Sequence, residues 1–109
     1  MRTLRELARL ETVGGRVAVV TVIQTRGSTP GESGARMLVY PDGRTLGSIG
    51  GGCMENALKL QAIEALREGK PRMTEHTLDD EVDESGMICG GTLRVYIEPV
   101  AFPGQTTNS

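Results

Sequence analysis

Hydrophobic and polar positions divide the chain into two stretches with helical spacing and five with strand character. Leucine and alanine recur every three or four positions over residues 4–10, which predicts an amphipathic helix with Thr3 and Glu6 as its capping box. A second helix is predicted over residues 53–68 and is ended by Gly69. Its apolar arc is expected to face a sheet. The arc consists of Met54, Leu58, Ala62, Ala65 and Leu66.

The strands are predicted from runs of β-branched residues and from alternation. Residues 17–23 are a continuous β-branched run, which is typical of a central strand covered on both faces. Residues 35–40 and 44–49 flank a Pro-Asp-Gly turn and are expected to form a hairpin. Residues 72–78 and 92–97 are the last two strands. The order α-β-β-β-α-β-β predicts an α+β fold, with two helices on a mixed β-sheet of about five strands.

The chain length of 109 residues predicts a single domain, placed at residues 1–100. Pro99 is expected to end the last strand, since proline has no N–H for a sheet. Residues 101–109 are predicted to be a flexible C-terminal tail. The acidic residues 79–84 are predicted to form a solvated loop between the last two strands.

Composition excludes several classes of protein. Fourteen acidic and twelve basic residues give a net charge of -2, so no basic excess indicates a nucleic-acid partner. Three aromatic residues are too few for a base-stacking platform. No apolar run reaches the roughly 20 residues of a membrane helix, and the start lacks the apolar region of a signal peptide. A cytoplasmic protein with no membrane partner is therefore expected.

Glycine is the unusual feature of this sequence, with 15 of 109 residues. Ten of them fall in three clusters, which are expected to be loops where backbone takes a positive φ or lies close to another group. The clusters are Gly27, Gly31 and Gly34; Gly47, Gly50, Gly51 and Gly52; and Gly86, Gly90 and Gly91. The second cluster leads into a helix, whose N-terminal N–H groups attract anions. Ligand binding and tight packing both explain that cluster.

Both cysteines lie beside glycine clusters. Cys53 begins the second helix, where its thiol pKa is expected to fall, although a buried, inert thiol would fit the same position. A structural zinc site needs four ligands, and the chain offers only Cys53, Cys89 and His76 for it. His76 also fits an ordinary strand position. Ser28 and Thr29 follow the central strand and offer hydroxyl groups to a phosphate or oxo group, unless they serve only the turn.

Four motifs together resemble the N-terminal domain of the XdhC/CoxI family. The resemblance spans about residues 16–100 and keeps the motifs in the family's order. They are Thr25-Arg26-Gly27-Ser28-Thr29-Pro30, Gly34-Ala35-Arg36-Met37-Leu38-Val39, Gly47-Ser48-Ile49-Gly50-Gly51-Gly52-Cys53-Met54-Glu55 and Cys89-Gly90-Gly91. The resemblance implies an accessory factor, not an enzyme, that binds the molybdenum cofactor (molybdopterin) transiently. Such a factor assists sulfuration of the cofactor and its insertion into a xanthine dehydrogenase-type molybdenum hydroxylase.

The resemblance also implies a site and partners. The expected cofactor-binding residues are Ser28, Thr29, Gly50, Gly51, Gly52, Cys53, Cys89 and Gly90. Cys53 is the expected contact for molybdenum, or the sulfur-transfer residue, and no other catalytic residue is expected. The implied partners are an apo molybdenum hydroxylase and a cysteine desulfurase. A homo-oligomer is expected, as is a separate partner with the Rossmann-like domain that longer members carry.

Two other functions stay open at this point. Cys53 could be the nucleophile of a sulfur-relay protein, or the domain could dock on the hydroxylase without holding a cofactor. If one site serves the cofactor, the three glycine clusters should converge at one edge of the sheet. Cys53 and Cys89 should then lie within reach of a shared ligand.

Overall fold

A computed structural model describes residues 2–27, 33–49, 52–82 and 88–103 of the chain. It has two helices and five strands in the predicted order, which confirms the α+β class. The helices are α1 (Arg2–Val13) and α2 (Gly52–Glu68). The strands are β1 (Gly15–Arg26), β2 (Arg36–Val39), β3 (Thr45–Gly47), β4 (Arg72–Val82) and β5 (Ile88–Phe102).

The sheet has the order β3-β2-β1-β5-β4, and every described pair of neighbours is antiparallel. This corrects the expectation of a mixed sheet. Strands β3 and β4 run in the same direction, but α2 carries the chain from one edge of the sheet to the other. The two strands that a helix connects are therefore not neighbours, and no parallel pair arises.

Strand β1 is the centre of the domain, as its run of β-branched residues predicts. It pairs with β2 on one side and with β5 on the other. Val20 and Val22 are fully buried in the core on the α2 side, and Val17 is fully buried on the α1 side. A strand covered on both faces needs apolar residues at successive positions, which explains the run.

Helix α2 covers one face of the sheet with the predicted arc. Leu58, Ala62, Ala65 and Leu66 are all buried in the larger core cluster with residues of β1, β2 and β5. The side chain of Met54 lies outside the description. Off the arc, Ile63 still packs against this cluster, whereas Leu60 is 66% exposed.

Helix α1 packs on the opposite face, where Leu10 is buried with Val17 and Leu38. A polar contact holds it to the β2–β3 turn, because the Tyr40 hydroxyl donates a hydrogen bond to the Glu6 carboxylate. Arg9 donates to the same carboxylate at 2.7 and 2.8 Å. This hydrogen bonding from Arg9 lowers the pKa of Glu6, so the contact persists above the usual pKa of glutamate and weakens in acid.

Both helices are followed by a glycine with a positive φ, the usual way in which a helix ends. Gly14 and Gly69 have φ values of 85° and 70°. Their N–H groups donate to the carbonyls of Leu10 and Ala65 at 2.7 and 2.8 Å. The start of α1 differs from the expectation, because the helix already includes Thr3. Thr3 is therefore a helical residue and not the cap that precedes the first turn.

The last two strands are longer than predicted. Strand β5 continues through Pro99, which lies opposite Ala18, and ends at Phe102. The pairing of β4 with β5 begins at Arg72 and Ile97, so Pro99 lies where one side of β5 is a free edge. Proline is tolerated at such an edge, since no partner there requires its missing N–H. Ala101 is therefore strand and not tail, and residues 104–109 lie outside the description.

Strand β4 likewise extends into the acidic segment that was predicted to be a loop. Residues 79–82 belong to the strand, which ends at Val82. Its pairing with β5 shifts register between Leu78 and Glu81, a bulge that lets the ladder continue past this point. The rest of the predicted loop, residues 83–84, lies outside the described residues.

Two leucines of α2 provide a matched test of the core. Leu58→Ala should lower the free energy of unfolding by about 2–5 kcal/mol, because it leaves a cavity beneath the helix. Leu60→Ala, on the exposed side of α2, should change it by less than about 0.5 kcal/mol. Urea unfolding followed by circular dichroism measures both. Equal losses for the two variants would contradict the packing described for α2.

Candidate functional site

The described parts of the glycine clusters lie towards the same end of the sheet, at different levels along its strands. Because neighbouring strands are antiparallel, β1 and β3 end where β2 and β5 begin. Helix α2 runs the other way, since the Leu66 carbonyl near its C-terminus accepts a hydrogen bond from Arg16 at the start of β1. The beginning of α2 therefore lies towards the same end. That end carries the described parts of all three glycine clusters.

Two of the clusters are in direct contact. Gly27 follows β1 with a φ of 71°, and a Cβ atom built there would lie 3.1 Å from the Cα atom of Gly91. Gly91 itself has a φ of 96° within β5. A side chain at position 27 would thus crowd the neighbouring backbone. Here glycine serves close packing between two strands.

The third cluster is only partly a loop. Cys89 and Gly90 lie in β5, and Cys89 is the register partner of Glu81 in β4. This corrects the expectation of a glycine loop up to Gly91. The bulge in β4 and the positive φ of Gly91 allow the strands to stay paired through glycines that interrupt a regular ladder.

The second cluster begins with a packing glycine. Gly47 has a φ of 85°, and a Cβ atom there would lie 2.9 Å from the carbonyl oxygen of Arg36 and 3.0 Å from a methyl group of Thr3. Ile49 follows and is buried in the core beneath α2. These contacts fix the path of the chain from β3 towards α2.

Gly52 and Cys53 are the first two residues of α2, which confirms that this cysteine starts the helix. The side chain of Cys53 lies outside the description, as does that of Cys89. The predicted ligand residues Ser28, Thr29, Gly50 and Gly51 also lie outside the described residues. Their role in binding therefore stays a prediction.

Glu55 is a functional candidate that the sequence reasoning missed. Its carboxylate accepts a hydrogen bond from the Ser48 hydroxyl at 2.6 Å and from the Ile49 N–H at 3.3 Å. Glu55 lies in the first turn of α2, where a negative charge interacts favourably with the helix dipole. It closes the connection between β3 and α2, and its charge competes with an incoming anion. An acidic residue in the first helical turn was the available signal.

The strand register shows how far apart two segments lie along the sheet: the end of β3, which leads to Cys53, and the start of β5, which carries Cys89. Val20 pairs with both Met37 and Ile97, and Met37 pairs with Gly47, so Gly47 is level with Ile97. Cys89 lies eight positions before Ile97 in β5, a rise of about 26 Å in an extended strand. The connection between Gly47 and Cys53 would have to cover much of this length for both thiols to meet one ligand. That convergence stays a prediction.

His76 lies on β4, on the sheet face that carries α2, as a strand residue. It pairs with the buried Leu93, and its Nε2 atom lies 3.0 Å from the Thr74 hydroxyl. Partial burial lowers the pKa of His76. Within the described part of the chain, no three His, Cys, Asp or Glu side chains are grouped so that they could hold a metal ion.

Fold and site together define a class: a small α+β domain whose glycine-rich segments, including a cysteine at a helix start, lie at one end of an antiparallel sheet. The XdhC and CoxI family model matches residues 11–77, and the chain belongs to this family. Neither of the two described helices has the length and apolar character to cross a membrane.

Two curated proteins of Escherichia coli (strain K12) are similar to the chain. It is 38% identical to the protein YqeB over 98 residues, which are 89% of this chain and 18% of YqeB. It is 33% identical to the molybdenum cofactor insertion chaperone PaoD over 97 residues, which are 88% of this chain and 30% of PaoD. The chain thus spans less than a third of either relative.

A solved structure supports the fold. The crystal structure of a Bacillus halodurans protein described as a xanthine dehydrogenase matches with a TM-score of 0.73 and 33% sequence identity. The match covers 91% of this chain and 30% of that one. The domain is therefore one part of longer proteins in each of these three cases.

Gly47 and Gly69 allow the energetic cost of close packing to be separated from that of a positive φ, because their backbone conformations are similar. Gly47 and Gly69 have φ values of 85° and 70°, but a Cβ atom at Gly69 would meet nothing within 4 Å. Alanine at either position is strained by roughly 1 kcal/mol. Gly47→Ala should lose about 1–3 kcal/mol more, because its methyl group overlaps backbone. Chemical denaturation of both variants measures the difference, and equal losses would show that Gly47 is not packed as described.

Proposed function

We propose that this domain is the cofactor-binding part of a molybdenum cofactor chaperone. It would hold the cofactor while a sulfido ligand is installed and assist its insertion into a xanthine dehydrogenase-type hydroxylase. The observation that carries the proposal is membership of the XdhC and CoxI family. The 33% identity with PaoD, named as a molybdenum cofactor insertion chaperone, spans 88% of this chain and supports it.

The beginning of α2 suits the anionic parts of this cargo. The cofactor carries a phosphate and a metal–dithiolene head, and the first N–H groups of a helix are donors without intrahelical partners. Glycines at residues 50–52 would let such a group approach the backbone. Ser28 and Thr29 would add hydroxyl donors, and Cys89 with Gly90 would complete the site if that segment reaches it.

Cys53 is the proposed contact for molybdenum. A thiol at a helix start has a lowered pKa and is more often a thiolate near neutral pH. Thiolates are soft ligands that suit such a metal. Glu55 sets a limit on this site, because it already places a negative charge in the first turn of α2. Binding would therefore depend on several N–H donors together and not on the helix dipole alone.

The domain has a handling role in this proposal and performs no turnover of its own. A cysteine desulfurase would supply the sulfur, and the apo hydroxylase would receive the cargo in the cytoplasm. The chain spans only 30% of PaoD. In this proposal a Rossmann-like partner domain would contribute further machinery.

The position of Cys53 in α2 also favours a second function, a sulfur relay. In that case its thiolate attacks the outer sulfur of the desulfurase persulfide. A new S–S bond forms on Cys53, and the desulfurase cysteine leaves as a thiolate. The relay and the chaperone differ in what they need, because only the relay requires Cys53 to become covalently modified.

Binding and transfer can be separated by experiment. The purified chain should bind isolated molybdenum cofactor in an absorbance titration without any sulfur donor, and it should raise the activity recovered by an apo hydroxylase. Activation without measurable cofactor binding would instead support a docking module. A persulfide on Cys53 after incubation with desulfurase and cysteine, detected by mass spectrometry, would support the relay.

Cys53→Ser tests the thiol directly. Serine is close in size and can serve a helix start, so the free energy of unfolding should change by less than about 1 kcal/mol. Weak pterin binding should remain, because the backbone donors are unchanged, whereas activation of the hydroxylase should be lost.

Cys89 provides the comparison for thiol reactivity, since it lies in a strand. In the wild-type protein, Cys53 should react with iodoacetamide faster than Cys89 near pH 7, because only Cys53 starts a helix. Equal, slow labelling of both thiols together with full activation by Cys53→Ser would contradict the proposed role.

A further inference from the structure

Helix α1 packs against the strand that leads towards the candidate site. A methyl group of Thr3 lies 3.0 Å from a Cβ atom built on Gly47, and Leu46 packs against the core cluster that contains Leu10. Strand β3, which carries Leu46 and Gly47, is three residues long and lies at the edge of the described sheet. Because so short an edge strand has few ladder bonds of its own, its order depends on the helix that covers it.

The chain continues from β3 to the first turn of α2 through further contacts. Ile49 is buried in the core beneath α2. The Glu55 carboxylate accepts hydrogen bonds from the Ser48 hydroxyl at 2.6 Å and from the Ile49 N–H at 3.3 Å. We name residues 45–49 the bridging segment, since α1 holds its first part and the start of α2 holds its second part.

Burial alone holds α1 weakly. Among the side chains of α1 that the structure describes, only that of Leu10 is buried, whereas Leu4 and Val13 are 50% and 60% exposed. A helix of 12 residues is marginal by itself in water. Since opening of α1 exposes little apolar surface, we expect this helix to open locally more readily than the centre of the sheet.

One polar contact joins α1 to the sheet. The Tyr40 hydroxyl donates to the Glu6 carboxylate, and within the described residues this is the one hydrogen bond between a side chain of α1 and the sheet. The Glu6 side chain is only 14% exposed, and Arg9 holds its carboxylate in place from within α1. The Arg44 guanidinium lies 4.7 Å from the centre of the Tyr40 ring. Donor and acceptor are thus both held, which makes this a stronger bond than an exposed pair.

We propose that Tyr40 and Glu6 are positioning residues, which hold α1 against the bridging segment and thereby order the start of α2. With α1 in place, Thr3 confines Gly47. When α1 opens, the bridging segment keeps its pairing with β2 and its contacts with Glu55 but loses the cover on its α1 side. The functional part of this inference rests on the proposed function, since it makes α1 a determinant of cofactor binding.

Tyr40→Phe tests the hydrogen bond while the ring stays in place. Phenylalanine keeps the packing and the contact with Arg44 but has no hydroxyl group. Amide hydrogen exchange, followed by mass spectrometry, should become about tenfold faster over residues 2–13, 45–49 and 52–58 and stay unchanged in β1. Faster exchange in α1 alone would overturn the inference, and so would unchanged exchange in all three regions.

Tyr96→Phe is the matched control. Tyr96 is the other tyrosine of the chain and lies in β5, and its hydroxyl forms no hydrogen bond with the described residues. This variant should exchange like the wild-type protein in all three regions. Circular dichroism confirms that both variants are folded. The same acceleration in Tyr96→Phe would overturn the role given to the Tyr40 contact.

Glu6→Ala removes the acceptor instead of the donor. It should accelerate exchange in the same regions at least as much as Tyr40→Phe, because Tyr40 and Arg9 both lose their partner. The double variant should exchange no faster than Glu6→Ala alone, since the hydroxyl then has no acceptor to lose. Additive effects of the two changes would show that the side chains act separately, against the inference.

Cofactor binding tests the functional part. In an absorbance titration with isolated molybdenum cofactor, Tyr40→Phe should bind about tenfold more weakly than the wild-type chain, whereas Tyr96→Phe should bind equally well. Unchanged binding by Tyr40→Phe would overturn its positioning role. If the wild-type chain binds no cofactor, the proposed function fails, and the exchange experiment still decides whether α1 orders the bridging segment and the start of α2.

Discussion

The burial of β1 on both of its faces is the constraint on which the rest of the domain depends. Val17 and Val20 point to opposite cores, and each core requires its own helix. With β2 and β5 on its two sides, β1 also satisfies its backbone groups through both neighbours. The strand therefore fixes the positions of both helices and of its two neighbouring strands.

The position of the candidate site follows from this arrangement. Antiparallel neighbours bring alternate strand ends together, and α2 begins towards the end where β1 and β3 finish. The buried Ile49 and the Glu55 hydrogen bonds then fix the entry into α2. These contacts hold the end of the β3 segment against the first turn of the helix. Glu55 also places a negative charge in that turn, which disfavours unselective anion binding there.

Local patterns predicted the elements because each pattern has a local physical cause. The period of the apolar arc placed α2, the β-branched run placed β1, and Gly69 marked the end of α2. The strand order was not accessible, since it depends on where α2 delivers the chain across the sheet. The prediction that Pro99 ends β5 was wrong for the same reason. Whether a proline ends a strand depends on whether a neighbouring strand lies beside it. In the site, the start of α2 at its cysteine was predictable, but the Glu55 contacts with Ser48 and Ile49 join groups whose approach only the fold determines.

Glycines in one motif serve different physical purposes. Gly47 meets the Arg36 carbonyl and Thr3, and Gly27 meets Gly91, so both are required where strands and helix approach closely. Gly52 has a different position, since it begins a helix. The close contacts at Gly47 and Gly27 hold their segments in place whether or not a ligand is bound. Packing therefore explains these two glycines, and it leaves binding by the other glycines of the clusters a prediction, because a glycine that is required for packing can also belong to the frame of a ligand site.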